Sequence, residues 1–341
     1  MRVLFFVNSL KDGGAERVCN NLAAICVKEG YEVFFVNSLK DGGAERVCNN
    51  LAAICVKEGY EVDLVTLYKN TSDEEINSIN HFCLELNRKV SKREIIKELL
   101  HKRKRVNRFI RENEMKGEYV LITAHLPLSH ICASLSSKGN LCLYIQHTSL
   151  LSEGRYEKLY LFFYKKRMNV CVSKGLEKEF LQKMKYNRNK VSVIYNPLSV
   201  SEIRKKSLEP IEFEKPYMLC VGRLVDLKRF DRAIRIFYHG GFHRDYKLVI
   251  LGQGGLKQKL EEQTKQMGIQ DRVCFLGWKE NVYAWMRQAE LLYQTSDREA
   301  LPMVLIEALA SGTWVVAGNC SYGAEEILLG ELSDYIAEYE Q

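Results

Sequence analysis

Short apolar runs alternate with helix-length amphipathic segments along most of the chain. From residue 61 the runs "EVDLVTLY", "YVLITAHL", "LCLYIQHT", "MNVCVSKG" and "VSVIYNP" follow one another to residue 197. Such alternation predicts a parallel sheet covered by helices. The pattern breaks over residues 198–216, "LSVSEIRKKSLEPIEFEKP", which hold two of the chain's five prolines and little apolar periodicity, and this stretch reads as a linker. A second series starts at once: strand "YMLCVG", helix "FDRAIRIFYH", strand "KLVILGQG", helix "LKQKLEEQTKQMG", strands "RVCFLGW" and "LLYQTS", helix "PMVLIEALASG", strand "WVVAG". The chain therefore reads as α/β, with two doubly wound, Rossmann-like domains in tandem at residues 1–197 and 217–341. Ligands are expected at the carboxyl ends of the strands, in the cleft between the domains.

One feature does not fit a simple alternation. The stretch "FFVNSLKDGGAERVCNNLAAICVKEGYEV" occupies residues 5–33 and recurs, letter for letter, at residues 34–62. Repeats in a solenoid diverge at exposed positions, so identity there too indicates a duplicated unit and not a structural array. Each copy offers a strand, a glycine pair and a helix. In the second copy Gly42 and Gly43 precede Val47, Leu51, Ile54 and Cys55 on one helix face, with Gly59 as a stop. Paired glycines let backbone approach a bulky ligand, although they are not the GxGxxG dinucleotide fingerprint. Two identical units cannot share one slot in a sheet. Copy one has "RVL" ahead of its strand, whereas copy two runs straight into "DLVTLY". Copy two is expected to fill the central slot, with copy one at the sheet edge or loosely attached.

With 341 residues, 46% apolar and 27% charged, the chain can bury a core in each domain. No window offers the roughly 18 uncharged apolar residues of a membrane span, and the first apolar run is too short for a secretory signal, so a cytoplasmic location is expected. The 11 cysteines include Cys55, Cys132, Cys220 and Cys274 inside apolar segments, with no CxxC pair and no Cys/His grouping at metal-ligand spacing; they read as small core residues, and no metal site is expected. Much of the net charge of +7 falls in residues 88–116, "RKVSKREIIKELLHKRKRVNRFIRENEMK", where Ile95, Ile96, Leu99, Val106, Phe109 and Ile110 recur at helical spacing. This predicts a basic amphipathic helix or helix pair. Its charged side reads either as a solvated face or as a patch for an anionic membrane surface, where each Lys or Arg adds about 1 kcal/mol. No nucleic-acid partner is expected.

Candidate chemistry gathers in the second domain. In "QTSDREALPMVLIEALASG" a strand ends near Ser296, a polar turn follows, and Pro302 stands in the first turn of a helix that stops at Gly312. Backbone N–H groups near Met303 and Val304 would then carry the partial positive charge of a helix N-terminus, which suits a diphosphate. Glu299 lies in the turn and Glu307 inside the helix. A helix glutamate is ordinarily on the surface, but Glu307 lies between Ile306 and Ala308 in a helix with few polar positions, and a buried carboxylate needs a partner. In "CVGRLVDLKRFDRAI", Gly222 ends a strand, and Arg223 and Lys228 follow where they could neutralise phosphate charge. His147 in "YIQHTSLL" and His125 in "TAHLPLSH" read as structural on local grounds.

These motifs together carry a resemblance: "GGAERV" near the start, "VGRL" followed by Lys228, "LGQG", "FLGW", and the two glutamates Glu299 and Glu307 at E-x7-E spacing. The chain resembles the retaining GT-B glycosyltransferases of glycosyltransferase family 4 over nearly its whole length. With "IYNP" at 194–197 and the late "NCSYGAEEIL", it looks most like enzymes that build bacterial surface polysaccharides such as capsule and lipopolysaccharide. The resemblance implies a nucleoside-diphosphate sugar as donor and a polysaccharide, lipopolysaccharide or lipid-linked acceptor. It implies transfer with retained configuration, no metal or other cofactor, and a cytoplasmic protein peripheral on the inner membrane face. By residue, it implies Glu299 at the donor sugar hydroxyls, Glu307 at the ribose, Arg223 and Lys228 at the diphosphate, and His147 near the transferred sugar. Similar enzymes continue past the "AEEIL" element, so the second domain is expected to be C-terminally truncated. Two other readings stand beside this one: an inactive relic that only binds nucleotide or membrane, and a sugar-nucleotide epimerase on the same fold. A glycosidase would need two carboxyls about 5 to 10 Å apart, and the cations would be superfluous.

Overall fold

The computed structural model describes residues 2–7, 61–68, 79–87, 90–115, 119–125, 127–140, 142–149, 154, 157–164, 167–184, 190–196 and 200–330. The chain divides into two compact units, Met1–Leu198 and Ser199–Gln341.

In the first unit the strands are β1 (Arg2–Val7), β2 (Glu61–Thr66), β3 (Ile79–Cys83), β4 (Tyr119–His125), β5 (Cys142–Gln146), β6 (Met168–Cys171) and β7 (Val191–Val193). The helices are α1 (Lys92–Glu114), α2 (Pro127–Leu135), α3 (Glu157–Tyr164) and α4 (Lys174–Met184). The strands form one parallel sheet in the order β3-β2-β1-β4-β5-β6-β7. Parallel strands covered by helices are buried, and Leu64, Val65, Ala124, Tyr144 and Ile145 accordingly have almost no exposure. Even Asp63 is fully buried, and its Oδ1 accepts from Asn80 Nδ2 on the neighbouring strand at 2.6 Å.

The central strand settles part of the repeat question. β1 joins "RVL" to the first three residues of copy one, and it pairs from Arg2↔Glu61 to Val7↔Thr66 on one side and with β4 on the other. The strand slot is thus filled from copy one, against the expectation that copy two would occupy it. Six residues paired to β2 and five to β4 satisfy most of the strand's backbone groups on both edges. The glycine turns, including Gly42 and Gly43, and the helices of both copies lie outside the described residues.

The basic segment is one helix. Ser91 caps α1 in a reciprocal box, its hydroxyl accepting from the Glu94 N–H while the Glu94 carboxylate accepts from the Ser91 N–H at 2.9 Å. Ile95, Leu99, Val106 and Ile110 are buried. Lys102 is tied into the fold, since its ammonium donates to the carbonyls of Leu84 and Glu85 at 2.8 and 3.0 Å. Arg103, Lys104, Arg105 and Arg108 face solvent.

The second unit begins inside the segment read as a linker. Residues Val200–Ser207 form α5, with Val200, Ile203 and Ser207 buried. Two apolar positions are too few for periodicity to reveal a helix. Asn281 anchors it, donating to the Lys206 carbonyl at 2.8 Å and to Glu209 Oε2 at 2.7 Å. There follow β8 (Tyr217–Val221), α6 (Phe230–His239), β9 (Lys247–Leu251), α7 (Lys257–Gln266), β10 (Val273–Gly277), α8 (Val282–Gln288), β11 (Leu291–Gln294), β12 (Arg298–Glu299), α9 (Met303–Ala310), β13 (Val315–Ala317), β14 (Ser321–Tyr322) and α10 (Gly323–Leu328). The main sheet is parallel in the order β10-β9-β8-β11-β13, and β12 pairs with β14. Phe230, Ala233, Ile234 and Phe237 give α6 an apolar stripe packed in the core with Met218, Cys220, Leu248 and Ile250. The chain moves outward from β8 through β9 to β10, then returns to β11 on the other side of β8. The carboxyl ends of β8 and β11 therefore form the topological switch point, where open α/β sheets bind ligands.

Candidate functional site

The strand ends at this switch point are built on glycine. β8, β9 and β10 close on Gly222, Gly252 and Gly277, with φ of +155°, +134° and +72°. Leu251 O accepts from Gly222 N–H at 2.9 Å, Gln253 O from Leu224 N–H at 2.9 Å, and Gly277 O from Gly252 N–H at 2.7 Å. A Cβ on Gly252 would stand 1.9 Å from the Gly222 carbonyl oxygen, and one on Gly254 would stand 2.4 Å from that of Leu224. "VGRL" and "LGQG" are thus backbone packed on backbone, which only glycine permits.

Beyond Gly222 the chain exposes Arg223, buries Leu224 and makes a short 3-10 turn at Asp226–Lys228. Lys228 lies back over the strand end, its Cδ and Cε 3.8 Å from where a Gly222 Cβ would be. Its ammonium donates to Glu299 Oε1 at 2.5 Å, and Gln294 Nε2, at the end of β11, donates to the same oxygen at 3.0 Å. Both partners of the ion pair are largely shielded, with 23% and 13% of the Lys228 and Glu299 side chains exposed. Two residues expected to meet different parts of one ligand therefore meet each other. Cys320 Sγ lies 3.9 Å from Gln294 Oε1, and burial pushes its thiol up to about 11.

A brace joins the two loops that carry this pair. Thr295 Oγ1 donates to the carbonyls of Lys228 and Arg229 at 3.2 and 2.8 Å, and the Asp297 N–H donates to Leu227 O at 3.0 Å. Arg229 reaches both carboxylate oxygens of Asp297 at 3.1 Å, and Arg232 adds a bond at 2.7 Å. Arg229 takes a left-handed φ of 51°, a conformation that costs about 1 kcal/mol or more outside glycine, and these bonds offset it. Its guanidinium also holds the Asp231 carboxyl below the usual range. None of the sequence motifs singled out Gln294, Thr295, Arg229 or Asp297. For Gln294, Thr295 and Asp297 the polar run "QTSDRE" was the available signal.

Helix α9 follows the Glu299 turn. Pro302 stands at its N-cap, one position earlier than the first-turn place predicted, and Met303 begins the helix. Met303 is buried, Val304 half-buried, and Glu307 is buried as its apolar neighbours implied. Ser311 returns its hydroxyl to the Glu307 carbonyl at 2.8 Å, and Gly312, at φ +82°, ends the helix. Within the second unit the fold so gathers Gly222, Lys228 and Glu299 at the switch point.

His147 belongs to the first unit, one residue beyond β5. It is half-buried, and loss of hydration lowers its pKa to about 4, so the ring is neutral at physiological pH. Its loop is held by buried polar pairs, Gln146 Nε2 to Asn169 Oδ1 and Ser149 Oγ to Glu179 Oε1, each at 3.0 Å. A second histidine escaped notice in the sequence. His130 is fully buried, with Nε2 facing the Ala124 and Ile145 carbonyls at 3.0 and 3.2 Å, so Nε2 carries the proton and Nδ1 accepts from the Tyr164 hydroxyl at 2.9 Å. Burial lowers its pKa to about 3. Among the described residues no group of three His, Cys, Asp or Glu side chains is placed to hold a metal ion, and no helix is long and apolar enough to cross a membrane.

Comparison with known proteins accounts for this arrangement. The Glycosyltransferase Family 4 model matches residues 41–202, and the model described as "Glycosyl transferases group 1" matches residues 201–338. The first match takes in the glycine pair Gly42 and Gly43 of copy two, whereas the described strand comes from copy one. The Campylobacter jejuni N-acetylgalactosamine-N,N'-diacetylbacillosaminyl-diphospho-undecaprenol 4-alpha-N-acetylgalactosaminyltransferase is 34% identical over 155 residues, 46% of this chain and 42% of that protein. The lipopolysaccharide 1,6-galactosyltransferase of Salmonella typhimurium is 27% identical over 169 residues, 47% of this chain and 45% of that protein. The matches span about half the length of these curated relatives. Among solved structures, the apo form of the lipopolysaccharide outer core galactosyltransferase WaaB shares the fold with a TM-score of 0.62 at 18% identity, over 96% of this chain and 83% of that one. HepE of Anabaena, solved in complex with UDP and glucose, gives a TM-score of 0.61 at 17% identity over 96% and 83%. Two adjoining family models, the parallel sheet with its switch-point site, and relatives named as polysaccharide and lipid-linked glycosyltransferases agree: the chain belongs to the GT-B glycosyltransferases of family 4 type.

Proposed function

We propose that the protein transfers a sugar from a nucleoside-diphosphate sugar to a polysaccharide, lipopolysaccharide or lipid-linked acceptor, with retention of configuration. The observation that carries this reading is the cluster at the switch point: a shielded cation and carboxylate, Lys228 and Glu299, set over Gly222 and followed directly by the N-terminus of α9. A departing diphosphate needs positive charge that is already in place, and Lys228, Arg223 and the Met303 and Val304 end of α9 supply it. Glu299 would accept hydrogen bonds from hydroxyls of the transferred sugar, and Glu307 from the ribose. In the retaining course the bond from the anomeric carbon to the diphosphate breaks, the acceptor oxygen bonds on the same face, and its proton passes to the leaving phosphate. The reading asks for no covalent nucleophile. A neutral His147 suits a hydrogen bond to a sugar hydroxyl better than proton transfer at neutral pH.

Relatives act on undecaprenol-linked and lipopolysaccharide substrates by name, which favours an acceptor at a membrane and a peripheral location. The exposed Arg103, Lys104, Arg105 and Arg108 of α1 offer the anionic surface its contact. Saturation-transfer NMR against UDP-, GDP- and ADP-sugars, with UDP-glucose first, tests the donor assignment. Transfer of saturation to sugar and ribose protons of one nucleotide sugar is expected; no transfer to any of them would remove the donor site.

A further inference from the structure

Lys228 and Glu299 neutralise each other's charge. The carboxylate that should meet sugar hydroxyls holds the ammonium that should meet the diphosphate, at 2.5 Å, with Gln294 donating to the same oxygen. The Lys228 carbonyl is held by Thr295, and Arg229 and Arg232 brace the neighbouring Asp297, while Glu299 sits in the β12–β14 pair. None of these contacts uses the Lys228 ammonium or the Glu299 carboxylate.

The two ligands that meet this pair differ in what they return. A free nucleoside diphosphate competes with Glu299 for Lys228 and leaves the carboxylate without the donor it loses. An intact nucleotide sugar takes Lys228 with its phosphates and brings hydroxyl donors to Glu299. A shielded carboxylate stripped of a charged donor costs more than one that exchanges partners.

We infer that the Lys228–Glu299 pair is a specificity element that favours the intact nucleotide sugar over the nucleoside diphosphate left after transfer. The pair re-forms as the sugar leaves Glu299, and so weakens the hold on the product. This rests on the donor-site reading above.

Calorimetry on the full chain tests it, with UDP and UDP-glucose or whichever matched diphosphate and nucleotide sugar the parent binds most tightly. Unfolding temperatures of each variant certify the fold. Glu299→Gln is expected to bind the free diphosphate about three- to tenfold more tightly than the parent, while nucleotide-sugar affinity stays level or falls. In a Lys228→Ala background the same change should alter diphosphate affinity less than about twofold. Unchanged or weaker diphosphate binding by Glu299→Gln overturns the inference. So does tightening of equal size without Lys228, which would reflect general repulsion by Glu299 and not the pair. Lys228→Ala with undiminished diphosphate affinity would instead overturn the donor-site reading itself.

Discussion

Replacing Gly252 by alanine probes the framework under the site most sharply. The added Cβ would lie 1.9 Å from the Gly222 oxygen and 2.8 Å from its carbonyl carbon, and contacts under 3.0 Å are essentially never seen. Both atoms belong to backbone, so the β8 and β9 ends must part by about 1 Å to reach even that floor. Alanine at φ +134° adds about 1 to 2 kcal/mol of backbone strain. Parting the strand ends stretches the Gly222-to-Leu251 and Leu224-to-Gln253 hydrogen bonds, worth about 1 kcal/mol each. A loss of about 3 to 4 kcal/mol follows, a large share of the roughly 5 to 15 kcal/mol a domain possesses. Thermal unfolding should fall by about 10 to 20 °C. Gly255→Ala, three residues on, is the matched control, because its Cβ would meet nothing within 4 Å and should change stability by less than about 0.5 kcal/mol. Below the melting range, Gly252→Ala should also weaken diphosphate binding, since the displaced turn carries Arg223 and underlies Lys228. A Gly252→Ala protein as stable as Gly255→Ala would refute the close-packed account of these strand ends.

Other expectations follow from the same geometry. Arg223→Ala and Lys228→Ala should each weaken nucleoside diphosphate binding by about 1.5 to 3 kcal/mol, read by calorimetry, and normal binding in both would move the donor site elsewhere. The quadruple neutralisation of Arg103, Lys104, Arg105 and Arg108 should release the protein from anionic vesicles, as should added salt, which screens charges beyond about 8 Å at physiological strength; equal co-sedimentation of parent and variant would make α1 a solvated face only. Lys102 is left out of that set because it holds the Leu84 and Glu85 carbonyls. His130 and His147 are held near 3 and 4, below their ordinary 6.5, so on acidification the unfolded chain takes up protons first. Their contribution is complete above about pH 6.5, and each histidine removes about 1.4 kcal/mol per pH unit as pH falls toward its folded pKa. Urea midpoints between pH 7 and 5 should therefore fall less steeply in His130→Phe; an identical slope would show His130 to titrate normally.

The parallel sheets were legible because their strands are nearly continuous apolar runs, and an interior strand has no solvent face to interrupt it. β3, "INHFC", was not legible: it is an edge strand, and Asn80 and His81 break the run by pairing with Asp63 and Thr66 across the sheet. Helix α5 hid behind two prolines and a lysine-rich surface. The burial of Glu307 followed from its apolar neighbours, whereas the Lys228–Glu299 pair joins residues 71 positions apart, and no local pattern encodes that meeting. "LGQG" could be matched as a motif, but its reason, backbone against backbone at Gly222, exists only in three dimensions. His147 and His130 owe their neutral state to burial by distant segments. The repeat is the limiting case, because identical letters carry no preference; the added "RVL" at Arg2–Leu4 is what distinguishes the strand of copy one.

The proposed role of Glu299 and Lys228 as the sugar-donor site of a transferase stands or falls on a transfer assay of the parent and Glu299→Gln. Labelled sugar from the nucleotide sugar that binds is offered to lipid-linked and lipopolysaccharide-core acceptors, and the anomeric signal of the product is read by NMR. The parent is expected to give product with the donor's configuration, and Glu299→Gln to lose about 100- to 1,000-fold or more in rate at matched thermal stability. Transfer by Glu299→Gln within a few-fold of the parent, or a product of inverted configuration, would overturn that role.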